Sequence, residues 1–320
     1  MSSTGQNLAA AAPKRRCFPT VGLVKRRVMI MYDPRNWHRL IFSLHGTVVT
    51  RVFRRVALYG SLAFGLWVCH AHALELAPVD PLGHSLLGVA LGLLIVFRTN
   101  TSYDRCWEGR KLWGGVINAA HNLIRGAAVY DNETGELVCL VVAYSHALKQ
   151  QLRRSRDLRQ VELLVRPEVF RQVSAAGSPP SVLAYHLSAW IRDRMQGGAI
   201  DASTARALES CVCAMTDSAG GCERIASTPI PYAYAVHIKQ MLALYLATLP
   251  FVLVPKMGLV AVFAVASITF GLVGIEEAGV EIENPFGGEA NDLPLEEFCD
   301  TIAKDAHDLA RLPERLRRAA

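Results

Sequence analysis

Charged residues are scarce in this sequence of 320 residues. Aspartate, glutamate, lysine and arginine make up 19% of it, whereas 51% of the residues are hydrophobic. Soluble domains carry roughly one quarter charged residues. The charges are also unevenly spread, because long windows have none and others are dense with arginine. This pattern argues against an ordinary soluble domain and predicts a membrane protein with a sizeable polar part.

Motifs of the common enzyme classes are missing as well. The sequence has no H-E-x-x-H, no P-loop, no G-x-S-x-G and no G-x-G-x-x-G motif. Its 8 cysteines include no C-x-x-C pair, and the closest histidines, His70 and His72, have no second ligand pair nearby. We therefore predict neither an enzyme nor a metal site.

Strand patterns are also lacking, since no long stretch alternates with period 2. The sequence has long apolar runs instead. We predict membrane spans at 56–76, 82–97, 232–254 and 257–275. We predict further helices at 99–130, 135–155, 181–197 and 202–216, with breaks at 174–181 and 218–221. The fold class is therefore all-α, a four-transmembrane-helix membrane protein with a helical cytoplasmic domain formed by residues 98–224 and 276–312.

Basic residues cluster near both ends of the chain. Such clusters can bind nucleic acid, but beside apolar runs they are typical of the cytoplasmic side of membrane helices. We therefore predict a flexible basic arm at 1–27, one domain at 28–312, a basic tail at 313–320, and both termini in the cytoplasm. The stretch 37–55 is amphipathic at helical spacing and predicts an interfacial helix that leads into the first span.

The second apolar run is short for a membrane span. It covers 82–97 and passes into polar sequence without a turn signal, so we expect its helix to continue beyond the membrane. Its large residues lie on one stripe at helical spacing: Leu82, Leu86, Val89, Leu93 and Phe97. Such a stripe faces lipid or a protein core in most proteins, and it lines a hydrophobic constriction in some channels. The spans also lack acids and arginines at mid-depth, which favours a passive pathway or a structural role over coupled transport.

The stretch "FRTNTSYDRCWEGRKLWG" (97–114) resembles the bacterial bestrophin family, which carries a similar F-R-x-N-x-x-Y-D-R-W-W-E-x-R-K-x-W-G run. "WHRLIFSLHGTVV", "TPIPYAYAVHIKQML" and "IENPFGGEANDLPLEEFC" resemble other parts of that family in the same order. The resemblance covers about residues 28–312. Cys106 departs from the usual W-W pair, which we interpret as a change in packing.

The resemblance implies a homopentameric ion channel whose second span lines a central pore. The family's neck is formed by three bulky apolar residues, four apart, that end just before the arginine. In this sequence they are Val89, Leu93 and Phe97. A second, cytoplasmic aperture corresponds to Ile230 in the "PIP" match.

The same resemblance implies that the helix after the neck walls a cytoplasmic vestibule. Its signature residues are Arg98, Asn100, Tyr103, Asp104, Arg105, Trp107 and Glu108. One interpretation is packing between subunits together with salt bridges, such as Glu108 with Lys111. The other is direct ion contact by Arg98 or by the amides of Asn100 and Asn118.

The N-P-F-G segment of the family is formed here by Asn284, Pro285, Phe286 and Gly287. In animal members this segment leads into an acidic clasp that binds calcium. Here two acids follow, Glu289 and Asp292, whereas calcium takes about six to eight oxygen ligands. We therefore predict no calcium requirement and no other cofactor.

The function implied is a passive channel of the bacterial inner membrane, with chloride as the expected permeant ion. The predicted partners are further copies of the chain, the lipid bilayer and inorganic ions, and no nucleic acid. Two alternatives stay open. The acids after Ile275 and the cation conduction of some bacterial relatives favour a cation channel, and a non-conducting scaffold would use the cytoplasmic helices to bind a partner. A secondary transporter would show an inverted repeat, which the two halves lack.

Overall fold

The computed structural model describes residues 33, 35, 36, 38, 41–43, 46–72, 77, 79–131 and 133–319, with the backbone alone for 313–319. This part of the chain contains no strand, which confirms the all-α prediction. Its helices are α1 Val49–His72, α2 Pro81–Tyr130, α3 Gly135–Leu152, α4 Arg159–Leu164, α5 Pro167–Ala175, α6 Pro179–Gln196, α7 Ala202–Ser227, α8 Tyr232–Met257, α9 Val260–Glu281 and α10 Leu295–Ala319.

Four of the described helices, α1, α2, α8 and α9, are long and apolar enough to cross a membrane. Helices α2 and α8 contain the predicted spans 82–97 and 232–254. Helix α1 begins earlier than predicted, at Val49, and ends at His72, and residues 73–76 of that predicted span lie outside the described residues. Helix α9 begins at Val260, three residues after the predicted start, and runs on to Glu281. The prediction of a single interfacial helix over 37–55 is wrong. The described residues between Phe42 and Val48 form turns and a bend, and Gly46 has a φ of 72°, so the chain changes direction before α1.

Helix α2 has 50 residues and is unbroken from the apolar run through the polar signature segment. At the usual rise per residue it is about 75 Å long. The carboxylate of Asp80 accepts a hydrogen bond from the Leu82 N–H at 2.9 Å, and Pro81 occupies the first turn, where its missing N–H has no cost. No proline interrupts the helix afterwards, which explains why the membrane segment can continue straight into the polar part.

Two separate hydrophobic cores lie along α2. Leu91 and Ile95, in its first half, pack with residues of α1, α8 and α9. Trp113 and Leu123, in its second half, pack with α3, α6, α7 and α10. Because one rigid helix belongs to both cores, it joins the membrane part of the molecule to the polar part.

The break predicted at 218–221 is wrong, because α7 runs through it to Ser227. Small residues serve here for close packing on α2. A Cβ at Gly221 would lie 2.7 Å from a Leu112 methyl carbon, and one at Gly115 would lie 2.6 Å from the Ser218 hydroxyl. The break predicted at 174–181 is confirmed between α5 and α6. The short helices α4 and α5 were not predicted.

The predicted arm at 1–27 lies outside the described residues. At the other end, α10 continues through Ala319, so the backbone of the predicted tail is helical over most of its length.

Candidate functional site

The large apolar stripe of α2 is exposed along its whole length. The exposed fractions are 74% for Val89, 55% for Leu93 and 54% for Phe97, and Leu82 and Leu86 are similarly open. The opposite face of the same helical turns is buried in the hydrophobic core that the four membrane-spanning helices share. The described part of the chain therefore leaves this stripe free to meet lipid, a pore or another subunit, and the neck assignment of the three residues stays a prediction.

The exposed face of α2 changes character after Phe97. Continuing at helical spacing it carries Asn100, Asp104, Lys111 and Asn118, all of which are exposed. The face is thus apolar in the membrane half of the helix and polar in the other half. Both amides and two opposite charges are open to solvent in the single chain, and ion contact by the amides stays a prediction.

Arg98 lies on the other side of the helix and is buried, with 2% of its surface exposed. Its guanidinium donates to Glu276 Oε1 at 2.5 Å and to Glu283 Oε2 at 3.4 Å. Lys239 of α8 approaches the same Glu276 carboxylate at 3.2 Å. Direct ion contact by Arg98, one of the two interpretations from the sequence, is therefore contradicted: the side chain is held inside its own subunit.

Arg105 forms a second attachment of α2, two turns further along. Its two terminal nitrogens donate to the carbonyls of Ile225 at 2.8 Å and Thr228 at 2.7 Å, at the carboxyl end of α7. Its Nε donates to the Glu283 carbonyl at 3.2 Å. A cation at this helix end also complements the helix dipole, so Arg105 fixes the crossing of α2 and α7.

The remaining signature residues are near the surface. Glu108 pairs with Arg224 of α7 at 2.7 Å, so the pairing with Lys111 that the spacing suggested is not the one formed. Tyr103 and Trp107 expose 59% and 53% of their surface. Two large aromatic side chains this exposed are typical of a surface that another molecule covers.

The N-P-F-G segment packs directly against α2. Phe286 is fully buried, and a Cβ at Gly109 would lie 3.0 Å from its ring and 3.2 Å from Pro285. The Gly287 carbonyl accepts a hydrogen bond from Arg153 Nε at 3.0 Å. The glycine at 109 is therefore required for close approach, and the two family signatures form one structural unit.

Ile230, the predicted aperture residue, is only 7% exposed. Its N–H donates to Glu283 Oε1 at 3.3 Å, whereas Tyr232, two residues further on, is 83% exposed. A residue that narrows an aqueous path must reach that path. The geometry of the single chain therefore does not favour Ile230, and the aperture assignment stays a prediction.

The acids that follow Ile275 are mostly paired. Glu277 binds Arg55 at 2.6 Å, and Arg51 lies 3.7 Å from Glu281 and also contacts Glu289. Together with the Glu276 contacts, these pairs neutralise most of the segment. The sequence interpretation was that the acids after Ile275 favour a cation channel. The pairing of the buried members, Glu276 and Glu277, argues against this contribution from them.

Asn291 and Asp292 stabilise the loop after the N-P-F-G segment. The Asn291 amide donates to the Gly46 carbonyl at 3.0 Å and to Glu281 Oε1 at 2.9 Å. Asp292 is buried and accepts from the Glu289 N–H at 2.6 Å, and its burial raises the pKa of its carboxyl. Among the described residues, no group of three or more His, Cys, Asp or Glu side chains is arranged to hold a metal ion.

Sequence reasoning missed Glu276 and Glu283, the partners of the signature arginines. They lie 178 and 185 residues from Arg98 along the chain, so no local pattern links them. The one available signal was chemical: an arginine within a helix that passes from membrane to polar sequence requires an acidic partner if it is buried.

Comparison with known proteins agrees with the all-α membrane fold and with the family that the sequence resembles. The family described as "Bacterial/Fungal Bestrophin protein" matches residues 29–308. A voltage-dependent anion channel-forming protein of Synechocystis sp. is 36% identical over 298 residues, covering 88% of this chain and 94% of the relative. A protein of the same description from Nostoc sp. is 34% identical over 292 residues, covering 88% and 94%. The crystal structure of a bacterial bestrophin homolog from Klebsiella pneumoniae matches with a TM-score of 0.77 at 28% identity, covering 81% of this chain and 98% of that one.

Proposed function

This chain belongs to the bacterial and fungal bestrophin family, and we propose that it is an anion channel of the bacterial inner membrane, built from five copies around a central path. Chloride is the proposed permeant ion. The channel is passive, so no reaction is catalysed, and both termini face the cytoplasm. The partners of the chain are further copies of itself, the surrounding lipid and the permeating ions.

The observation that carries this proposal is the exposed stripe of α2. Five large apolar side chains in one row are left uncovered on a helix whose opposite face, with Leu91 and Ile95, is packed in the membrane part. Placed around an axis, Val89, Leu93 and Phe97 of each copy form a narrow apolar neck, which closes by excluding water. The polar continuation of the same face then becomes the wall of the vestibule.

The preference for anions over cations is supported by the pairing of the acids. An apolar neck carries no charge, so selectivity depends on the potential of the vestibule. Glu276, Glu277 and Glu281 are engaged by arginine or lysine side chains and contribute little negative potential.

The deciding experiment is the reversal potential of the purified protein in a planar bilayer under a KCl gradient. We expect a value near the chloride equilibrium potential. A value near the potassium equilibrium potential would be consistent with the proposed pore but would show that it conducts cations. No current from a confirmed pentamer would contradict channel function and favour a membrane scaffold.

We further propose that the channel needs no calcium. The carboxylates next to the N-P-F-G segment are already engaged: Glu281, before it, by Arg51 and Asn291, and Asp292, after it, by the Glu289 N–H. Isothermal titration with calcium is therefore expected to give no binding at micromolar concentration. Micromolar binding that is lost in Asp292→Ala, but kept in the surface variant Asp157→Ala, would contradict this.

A further inference from the structure

The base of the predicted neck is attached to the rest of the subunit by one buried cluster of charges. Arg98 directly follows Phe97, so the two side chains point in directions roughly 100° apart around the helix. Phe97 is exposed and Arg98 is buried. The position of Arg98 therefore determines the direction in which Phe97 points.

A second contact fixes the same face of α2. Arg98, Ser102, Arg105 and Gly109 are spaced by four, three and four residues and lie on one side of the helix. Arg98 reaches the Glu283 carboxylate, and Arg105 reaches the Glu283 carbonyl at 3.2 Å. Two attachments to one residue, two turns apart, oppose rotation of α2 about its axis.

We propose that Arg98, Glu276 and Glu283 form a rotational lock that keeps Phe97 turned into the ion path, and that release of this lock opens the neck. Arg98 and Glu276 are each 2% exposed and the Glu283 side chain is 20% exposed, so the three act through Phe97 and are positioning residues. This inference rests on the proposed channel function and adds to it the element that sets the gate.

The lock is incompletely hydrogen-bonded, which suits a device that must release. Arg98 Nε and Ser102 Oγ are buried, and neither has a hydrogen-bond partner in the described part of the chain. A buried polar network with unsatisfied members is less stable than a complete one. Glu283 also accepts the Ile230 N–H at 3.3 Å, so its movement is transmitted to the start of α8.

Single-channel recording of Arg98→Lys and Glu283→Gln tests the proposal. Lysine keeps the charge but loses the forked guanidinium that reaches two carboxylates, and glutamine keeps the shape of Glu283 without its charge. We expect each variant to raise the open probability by roughly fivefold and to leave the reversal potential unchanged. In a Phe97→Ala background the same substitutions should have no effect, because the side chain that they position is gone.

The matched control is Arg194→Lys. Arg194 binds both oxygens of Asp131 in the polar part of the molecule, so it loses an equivalent forked contact, and gating should not change. Three results would overturn the lock. The lock variants could change the open probability equally with and without Phe97, they could shift the reversal potential, or they could leave the open probability unchanged. Loss of the pentamer in both lock variants would assign the cluster to folding and overturn it too. A wild-type pentamer without current would instead remove the proposed function, and this inference with it.

Discussion

At the scale of single residues, burial decides which ionisable groups carry charge. His146 lies inside the core of the polar part on α3, and burial is the main cause that lowers its pKa to about 4, with nearby Lys149 adding to the effect. The neutral imidazole is therefore the form that the fold accepts. Protonation would place an unpaired charge in an apolar interior.

His146 makes the stability of the protein depend on pH. Its pKa is lower in the folded state than the usual 6.5, so the unfolded chain takes up the proton first as the pH falls. The neutral imidazole contributes roughly 3 kcal/mol to the free energy of unfolding. This contribution is complete above the usual pKa and is lost as the pH falls from there to about 4. Thermal unfolding in detergent should therefore show a falling midpoint across this window. His146→Leu should flatten that dependence, and an unchanged slope would contradict the assignment.

The backbone conformation of Arg154 lowers the stability of the folded state locally. It has a φ of 54°, in the left-handed region, directly after the end of α3. The Ser155 N–H bonds to the Gln150 carbonyl at 2.9 Å, which is the pattern in which glycine usually occupies position 154. We expect Arg154→Gly to raise the free energy of unfolding by about 1 kcal/mol.

Chemical denaturation of the detergent-solubilised protein measures this change. Arg156→Gly is the matched control, since Arg156 lies in the same loop and does not have a positive φ. It should leave stability unchanged or reduce it. A loss of stability in Arg154→Gly would mean that its side chain, which donates to the Ala226 carbonyl at 3.4 Å, outweighs the backbone cost.

At the scale of elements, α2 combines the membrane half and the polar half of the molecule in one rod. Its apolar stripe is exposed over the neck positions and ends where Arg98 and Arg105 attach the helix to α9 and α7. Gating by such an element requires only that large side chains exclude water from a narrow path. The proposed neck can be tested without disturbing the buried faces, because its residues contact no core.

We expect replacement of Val89, Leu93 and Phe97 by alanine to raise conductance without inverting selectivity. Smaller side chains widen and wet the constriction, whereas the charge of the vestibule is untouched. Single-channel recording measures both quantities. Val96→Ala is the control, since Val96 is also exposed but lies off the stripe, and it should not alter conductance. Unchanged conductance in the triple variant would remove the neck assignment.

The elements themselves were largely predictable. The four spans depend on local hydrophobicity, and the continuity of α2 follows from the absence of proline between 82 and 130. The break predicted at 218–221 failed because Gly220 and Gly221 can mark either a turn or a close helix contact. Only the position of Leu112 opposite Gly221 distinguishes the two.

At the scale of the whole molecule, one chain leaves the face of α2 with the proposed neck uncovered. Exposed Tyr103 and Trp107 add to the open stripe of α2, and a single copy cannot enclose a path. We expect light scattering in detergent to give five chains of 35.0 kDa, about 175 kDa of protein. Replacing both aromatics with serine should lower that mass if they lie between subunits. A monomeric wild type would contradict an axial pore.

The sequence by itself determined the all-α class, the membrane segments and the row of apolar residues along α2, because each is a periodic property of neighbouring residues. Only the tertiary structure decided which charges are free. Arg98 proved to be buried, and of the 28 acids it paired with Glu276 and Glu283, far along the chain. The physical reason is that desolvation and Coulomb attraction act through space. The residues that pack around a charged side chain therefore decide whether it is paired in the interior or exposed to solvent.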